Sequence, residues 1–302
     1  MPWLTSCAPS QPLRVGIHHW VGYESLNLAR EFNWLSTDIS FQDGSSAADS
    51  INGLISGQLD AACLTLDEVL RVREAGIPLT VALVFDVSAG ADIVISKPDI
   101  QALSDLAGKR IGAEKSAVGA LMVSQLLMSA GLSHSDVEII DCPLEQQLTL
   151  WLAGDVDAMV SYEPTASLLK REGGRLLFDS RKMPETIIDV LAVRSDLSRN
   201  KKSELRALIA GHFQGLNHIQ SNHQDACYRI SSYQEVSPKE VARALSGIRQ
   251  PSLVSNWEYL DLDSGHLLHI AESVSEFLYQ SGLLERKDTL DNLITPHYLP
   301  KG

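Results

Sequence analysis

Apolar and polar residues fall in alternating blocks along this chain. Leu13–Ile17, Leu59–Leu64 and Leu79–Val84 are short, mainly apolar runs that suit buried strands. Between them, Ser25–Glu31, Ala47–Ser56 and Leu66–Ala75 carry apolar residues at helical spacing. Ile39-Ser40-Phe41 adds a further strand, and Asp43–Ser46 supplies a turn with helix N-caps. Gly57 and Gly76, the latter followed by Pro78, close two of the helices. Strands alternating with helices predict parallel sheets covered by those helices.

The pattern then pauses and starts again. Phe85–Asp92 holds a patch of small residues, Ser88-Ala89-Gly90-Ala91, between two strand-like runs. Small residues permit a sharp bend or a close backbone approach, so this stretch is read as a crossing between two lobes and as part of a cleft. Of its two carboxylates, Asp92 is assigned to the cleft and Asp86 to the framework. Strands follow at Ile93–Ile95, Arg110–Ala113, Val137–Ile140, Val156–Val160 and Leu176–Phe178. Helices are expected at Leu103–Gly108, Ala120–Ala130 and Leu144–Leu152. Ile187–Val193 is read as a strand and as the second crossing, returning the chain to the first lobe.

The two halves correspond. Val15-Gly16 aligns with Ile111-Gly112, and Gly57-x-x-Asp60-Ala61 with Gly154-x-x-Asp157-Ala158, at offsets of 96 and 97 residues. So long an offset is not a solenoid period. It predicts two α/β lobes of one plan, with Asp60 and Asp157 in structural roles. From Ser195 onward the pattern turns helical, at Ser203–Gln220, Gln224–Tyr233, Pro238–Gly247, Gly265–Gln280 and Asp288–Leu293. The expected division is a tether over 1–12, a first lobe over 13–88 plus 191–302, and a second lobe over 89–190.

Composition narrows the function classes. At 302 residues, 44% hydrophobic and 21% charged, the chain can bury large cores as a soluble protein. A formal charge of −13 without a dense Lys/Arg run argues against nucleic acid as a partner. No apolar run reaches the roughly 18 residues of a membrane span. Cys7, Cys63, Cys142 and Cys227 are too far apart in sequence for a metal motif. Leu4-Thr5-Ser6-Cys7 resembles a bacterial lipobox, with Cys7 as the lipidated residue and Ala8–Pro12 as its tether. Only Met1-Pro2-Trp3 stand before it, without the basic and apolar signal regions, so either the start is truncated or mis-called or the match is chance.

Several motifs in this order resemble one family. They are Val15-Gly16-Ile17 with Trp20-x-Gly22-Tyr23-Glu24, Gly57-x-x-Asp60-Ala61, and Ser88-x-Gly90-Ala91-Asp92. Leu106-x-Gly108-Lys109-Arg110-Ile111-Gly112 and Asp157-Ala158-x-x-x-Tyr162-Glu163-Pro164 complete the set. The chain is similar to the periplasmic substrate-binding proteins of bacterial ABC importers, in the NMT1/THI5-like branch of nitrate, sulfonate, taurine and thiamine-precursor binders. The resemblance covers Leu13–Gly282. It implies a type II periplasmic-binding fold whose two α/β lobes, joined by two crossings and carrying C-terminal helices, hinge shut on a ligand. It also implies a periplasmic monomer that serves ABC permease and ATPase subunits, and the lipobox-like start fits its anchoring to the membrane through Cys7. Neither cofactor nor metal is expected.

Ligands of open α/β lobes sit at the carboxyl ends of strands. That rule selects Trp20 and Tyr23 after the first strand, Ser45 and Ser46 after the second, and Thr65 after the third. It adds Ser88 and Asp92 at the first crossing, Ser116 and Ala117 before a second-lobe helix, Tyr162 and Glu163 after the Asp-Ala strand, and Asp189 on the return. Asp92 and Glu163 are expected to face each other. At most one of His18 and His19 can face the cleft, and Asp67-Glu68 reads as a solvated helix start. Three carboxylates with two aromatic rings favour an amine, an organic cation or an amino-pyrimidine. Lys115 is the only fixed cation near these positions, which disfavours nitrate, while an aminosulfonate such as taurine is still compatible. Two other classes fit the same fold: an enzyme making a thiamine pyrimidine or acting in menaquinone synthesis, and a sensory module reporting ligand to a membrane partner. The sequence has no GxSxG, GxGxxG, P-loop or HExxH motif to favour an enzyme.

Overall fold

A computed structural model describes residues 11–115, 118–234 and 236–301. The chain runs β1 (Leu13–Ile17), α1 (Glu24–Glu31), β2 (Ile39–Asp43), α2 (Ala47–Ile55), β3 (Ala61–Thr65), α3 (Leu66–Glu74) and β4 (Leu79–Ser88). The second lobe holds β5 (Ile93–Ser96), β6 (Arg110–Ala113), α4 (Val118–Ala130), β7 (Glu138–Asp141), α5 (Gln147–Ala153), β8 (Ala158–Ser161), α6 (Thr165–Arg171) and β9 (Arg175–Asp179). The chain returns through β10 (Ile188–Arg194). It ends with α7 (Arg199–Ser221), α8 (His223–Gln234), α9 (Pro238–Leu245), β11 (Ile248–Arg249), α10 (Leu253–Tyr259) and α11 (His266–Gln280).

Two sheets result, ordered β11-β4-β10-β3-β1-β2 and β7-β6-β8-β5-β9. In the first, β1 pairs parallel with β2 and β3, while β10 runs antiparallel between β3 and β4. In the second, β6 pairs parallel with β7 and β8, while β5 runs antiparallel between β8 and β9. Each lobe is thus a parallel βα block closed by antiparallel strands, and the repeat read from the sequence has a physical basis. Asp60 accepts from the backbone N–H and guanidinium of Arg14, and Asp157 accepts from the same two groups of Arg110. Both carboxylates tie the start of one strand to the start of its neighbour.

Three local expectations change. Ile188–Arg194 is a central strand of the first sheet, and the second crossing is the preceding stretch, 180–187. Its run of buried Val, Leu and Ala suits a strand flanked on both sides. Thr165–Arg171 and Leu253–Tyr259 are helices of seven residues each, too short to show a period in sequence. Asp288–Leu293 is not helical, because Leu290 and Asn292 adopt φ of 62° and 56°. This tail instead bonds to β4 through Val81 N–H to Leu293 O and Thr295 N–H to Val81 O. Among the described residues no helix is long and apolar enough to cross a membrane.

Candidate functional site

The two crossings lie side by side and are stitched together. The Ser88 and Ser180 hydroxyls meet at 2.7 Å, and Ser180 Oγ accepts from Gly90 N–H at 2.7 Å. Ser180 N–H donates to Asp92 O, and Ser88 N–H to Ile187 O. Above this hinge a cavity opens between the lobes. His18 and Trp20 enter it from the end of β1, Ala47 from the start of α2, Thr65 and Glu68 from the β3–α3 junction, and Asp189 from β10. Asp92 and Ile187 rise from the crossings, while Glu114, Val118 and Tyr162 come from the second lobe. The space enclosed is about 20 Å³, room for about one water molecule, so this is a closed arrangement of the lobes.

Contacts across the cleft explain the closure. Trp20 and Tyr162 meet edge to face, with ring centroids 5.5 Å apart and planes at 83°. Glu68 stands at the third position of α3, where its Oε2 accepts from Thr65 N–H at 2.9 Å. Its Oε1 accepts from Val118 N–H at 3.2 Å, the first residue of α4 in the other lobe. One carboxylate therefore joins two helix N-termini, each of which favours negative charge. Arg71 reaches Lys115 O at 3.5 Å beside it.

The cavity is an acidic one. Asp92 and Asp189 are 3% and 2% exposed, and among the described residues Oδ2 of each has no hydrogen-bond partner. Burial, opposed by the Ser88 hydroxyl and reinforced by the Asp67 charge, pushes Asp92 up to about 6. Burial and the neighbouring Asp67 charge push Glu68 up to about 8. Asp189 lies opposite Asp86 in the β4–β10 register. Burial first, then their mutual charge or that of Asp92, raises both well above the ordinary carboxylate range. Glu114 is also raised, chiefly by burial. Burial lowers His18 to about 4, leaving a neutral imidazole with an unpartnered Nδ1 among the described residues. Among the described residues no group of three or more His, Cys, Asp or Glu side chains is arranged to hold a metal ion.

Of the residues selected from the sequence, Trp20, Thr65, Asp92, Tyr162 and Asp189 line the cavity. Tyr23 stands behind it, donating its hydroxyl to Asp189 Oδ1, with its ring edge-on to Phe85. Ser88 belongs to the hinge. Ser46 is the buried N-cap of α2, accepting from Ala48 N–H, and Ser45 is exposed, donating its hydroxyl to Asp49. Glu163 does not face Asp92 across the cavity. It accepts from Ser167 N–H at 3.0 Å at the start of α6 and lies 3.9 Å from Lys170, as a helix-end carboxylate does. Ser116, Ala117 and Cys7 lie outside the described residues.

Sequence reasoning missed Glu68, Glu114 and the placement of Asp86. Asp67 and Glu68 are not a solvated helix start: each is 1% exposed. The strand-end rule that selected Thr65 extends to them, since α3 begins directly at the end of β3. Asp86 accepts from Trp20 Nε1 at 3.0 Å and so positions the cleft indole. A Cβ at Gly22 would run into the same carboxylate, so only glycine lets the β1–α1 loop pass there. His18 faces the cavity and His19 is exposed, as the alternation of the strand requires.

Comparison with known proteins adds to this picture. Residues 36–226 match the sequence model of the family described as NMT1/THI5 like. A protein of Haemophilus influenzae named a putative thiamine biosynthesis protein is 24% identical over 202 residues. The match takes in 64% of this chain and 61% of that protein, so the chain spans less than two thirds of this relative's length. Among solved structures, the alkanesulfonate-binding protein SsuA from Xanthomonas axonopodis pv. citri, bound to MOPS, superposes with a TM-score of 0.78. It is 17% identical, with 96% of this chain and 99% of that chain covered. The periplasmic nitrate-binding protein NrtA from Synechocystis PCC 6803 gives a TM-score of 0.72 at 12% identity, covering 96% and 87%. At these identities the likeness is one of fold, the periplasmic-binding fold with C-terminal helices.

Proposed function

The chain belongs to the NMT1/THI5-like family, and on that premise we propose that it is an extracytoplasmic solute-binding receptor that closes on a small organic cation. It would deliver this ligand to the permease and ATPase subunits of an ABC-type importer. Lipidation of Cys7 would hold the receptor at the membrane.

The observation that carries the reading is the convergence of Glu68, Asp92, Glu114 and Asp189 on one closed cavity. Four acids that ionise beside a positive group favour a cation over an anion, and a buried carboxylate oxygen without a partner is costly until a donor reaches it. Asp92 and Asp189 each present one such oxygen. A protonated amine or an N–H-rich heterocycle satisfies them, and the faces of Trp20 and Tyr162 favour a flat, cationic ring. Sulfonate and nitrate, the ligand classes in the names of the structural neighbours, fit this cavity poorly. The thiamine name of the Haemophilus relative supports an amino-pyrimidine instead. A second reading, an enzyme of pyrimidine metabolism, draws on that name and on the neutral His18 inside the cavity.

Native mass spectrometry of freshly purified protein separates these readings. The receptor reading expects a retained organic cation that leaves unchanged on unfolding. Release of a chemically altered molecule after incubation would favour the enzyme.

A further inference from the structure

A pocket outside the cleft carries the opposite charge. It opens between α6 of the second lobe and α9 of the C-terminal segment and encloses about 370 Å³. Ser167, Lys170 and Arg171 line it from α6, and Lys239, Glu240 and Arg243 from α9. Four cations thus face one carboxylate, in a chain whose formal charge is −13. We propose that this pocket binds a phosphate group, carried by a small soluble compound or by a lipid headgroup, at a site separate from the acidic cavity.

Helix stability does not account for all of these charges. Lys170 and Arg171 close α6, where the helix dipole favours them. Lys239 stands in the first turn of α9, where the dipole disfavours a cation. Arg243 lies four residues on, on the same face, and like charges at that spacing destabilise a helix. The acids nearby are already engaged. Glu240 accepts from the Ser237 N–H and hydroxyl as part of the cap of α9, and it pairs with Arg171. Glu163 accepts from Ser167 N–H and lies 3.9 Å from Lys170.

Ser167 points to a ligand independently of the charges. It is 5% exposed, and among the described residues its Oγ has no hydrogen-bond partner. A buried hydroxyl in that condition is costly until an acceptor reaches it. Phosphate meets both demands, since its oxygens accept from hydroxyl, ammonium and guanidinium groups together. The lining leaves three positive charges in excess. A phosphate group carrying about 1.5–2 negative charges at neutral pH matches them better than a carboxylate does. A neighbouring space of about 230 Å³ shares Lys170 and Arg243 and is bounded by Ile93, Leu176 and Ala244. The organic part of a phosphate ester fits against these apolar side chains.

Two probes separate the sources of the phosphate. Inorganic pyrophosphate is titrated calorimetrically, and vesicles containing phosphatidylglycerol are co-sedimented against vesicles of phosphatidylcholine alone. Binding of pyrophosphate supports a soluble compound, and binding of the anionic vesicles alone supports a headgroup. In either case Arg243→Gln is expected to weaken binding about tenfold and Ser167→Ala a few-fold. Added salt should weaken it as well. Arg243 is exposed, so its replacement spares the core, and Lys239→Gln repeats the measurement from the same helix face. Asp92→Asn, in the acidic cavity, should leave the affinity unchanged. Wild-type affinity in Arg243→Gln and Lys239→Gln, loss of binding in Asp92→Asn, or a wild type that binds neither probe would overturn the proposal.

Discussion

Asp92 illustrates what burial does to a carboxylate without a partner. Its charged form is stable only with a donor in the cavity, which is why it sits at about 6. Asp92→Asn keeps the shape and removes the charge. Cation affinity is expected to fall at least tenfold, while the ligand-free protein gains about 1–3 kcal/mol at neutral pH, read by urea unfolding. Unchanged affinity would remove Asp92 from the site. The same reasoning gives a pH dependence. Glu68 and Glu24 stand at about 8 and 7 in the folded protein, both raised chiefly by burial. The folded state then holds protons that the unfolded state has released, so stability falls as pH rises from the ordinary carboxylate range to these values. His18 and His212, lowered by burial to about 4 and 3, act oppositely, but only up to the ordinary histidine value of about 6.5. Between about pH 6.5 and 8.5 the carboxylates act alone. The ligand-free melting temperature should therefore decline across that window, and a bound cation should flatten the decline. A melting temperature that rises there would contradict the burial of these acids.

Among the elements, the repeated strand–helix unit was the most legible feature, and its two aspartates show why. The Asp-Ala signature recurs because each carboxylate receives three bonds from an arginine near the start of the neighbouring parallel strand. The partners Arg14 and Arg110 went unnoticed, since contacts 46 and 47 residues away leave no local period. Asp60 takes Lys201 of α7 as well, at 2.7 Å. Burial alone would raise it, but the bonds from Arg14 and Lys201 outweigh that and bring it to about 2. Its stabilising contribution is complete above the ordinary carboxylate value and is lost as pH falls towards 2. Asp60→Asn is expected to cost about 1–3 kcal/mol and Asp157→Asn less, since Asp157 has one cationic partner and a more exposed side chain. Equal losses in thermal or urea unfolding would contradict this ranking. The short helices α6 and α10 were illegible for the opposite reason: two turns carry too few apolar positions to reveal a period.

At the scale of the molecule, the lobes and the crossing at the Ser88–Asp92 patch follow from the alternation of blocks, whereas the composition of the cleft does so only in part. Strand-end logic selects Trp20, Thr65, Asp92, Tyr162 and Asp189, which line the cavity because those positions are set by chain direction. It misplaced Glu163, because a residue after a strand can turn back to its own helix, and Ser167 and Lys170 draw it there. It passed over Glu68 because an acidic helix start is ordinarily solvated. In the folded chain its two oxygens are taken by Thr65 N–H and, from the second lobe, by Val118 N–H. The acidity of the shared cavity is thus a product of closure, and the choice of a cation rests on it. Isothermal titration calorimetry tests that choice most directly, with a cationic amino-pyrimidine and taurine titrated at neutral pH in buffers of different ionisation enthalpy. The amino-pyrimidine is expected to bind with release of protons, as the raised carboxylates ionise around it, and taurine to bind at least tenfold more weakly. Tight binding of taurine or nitrate, with no response to the cation, would contradict it.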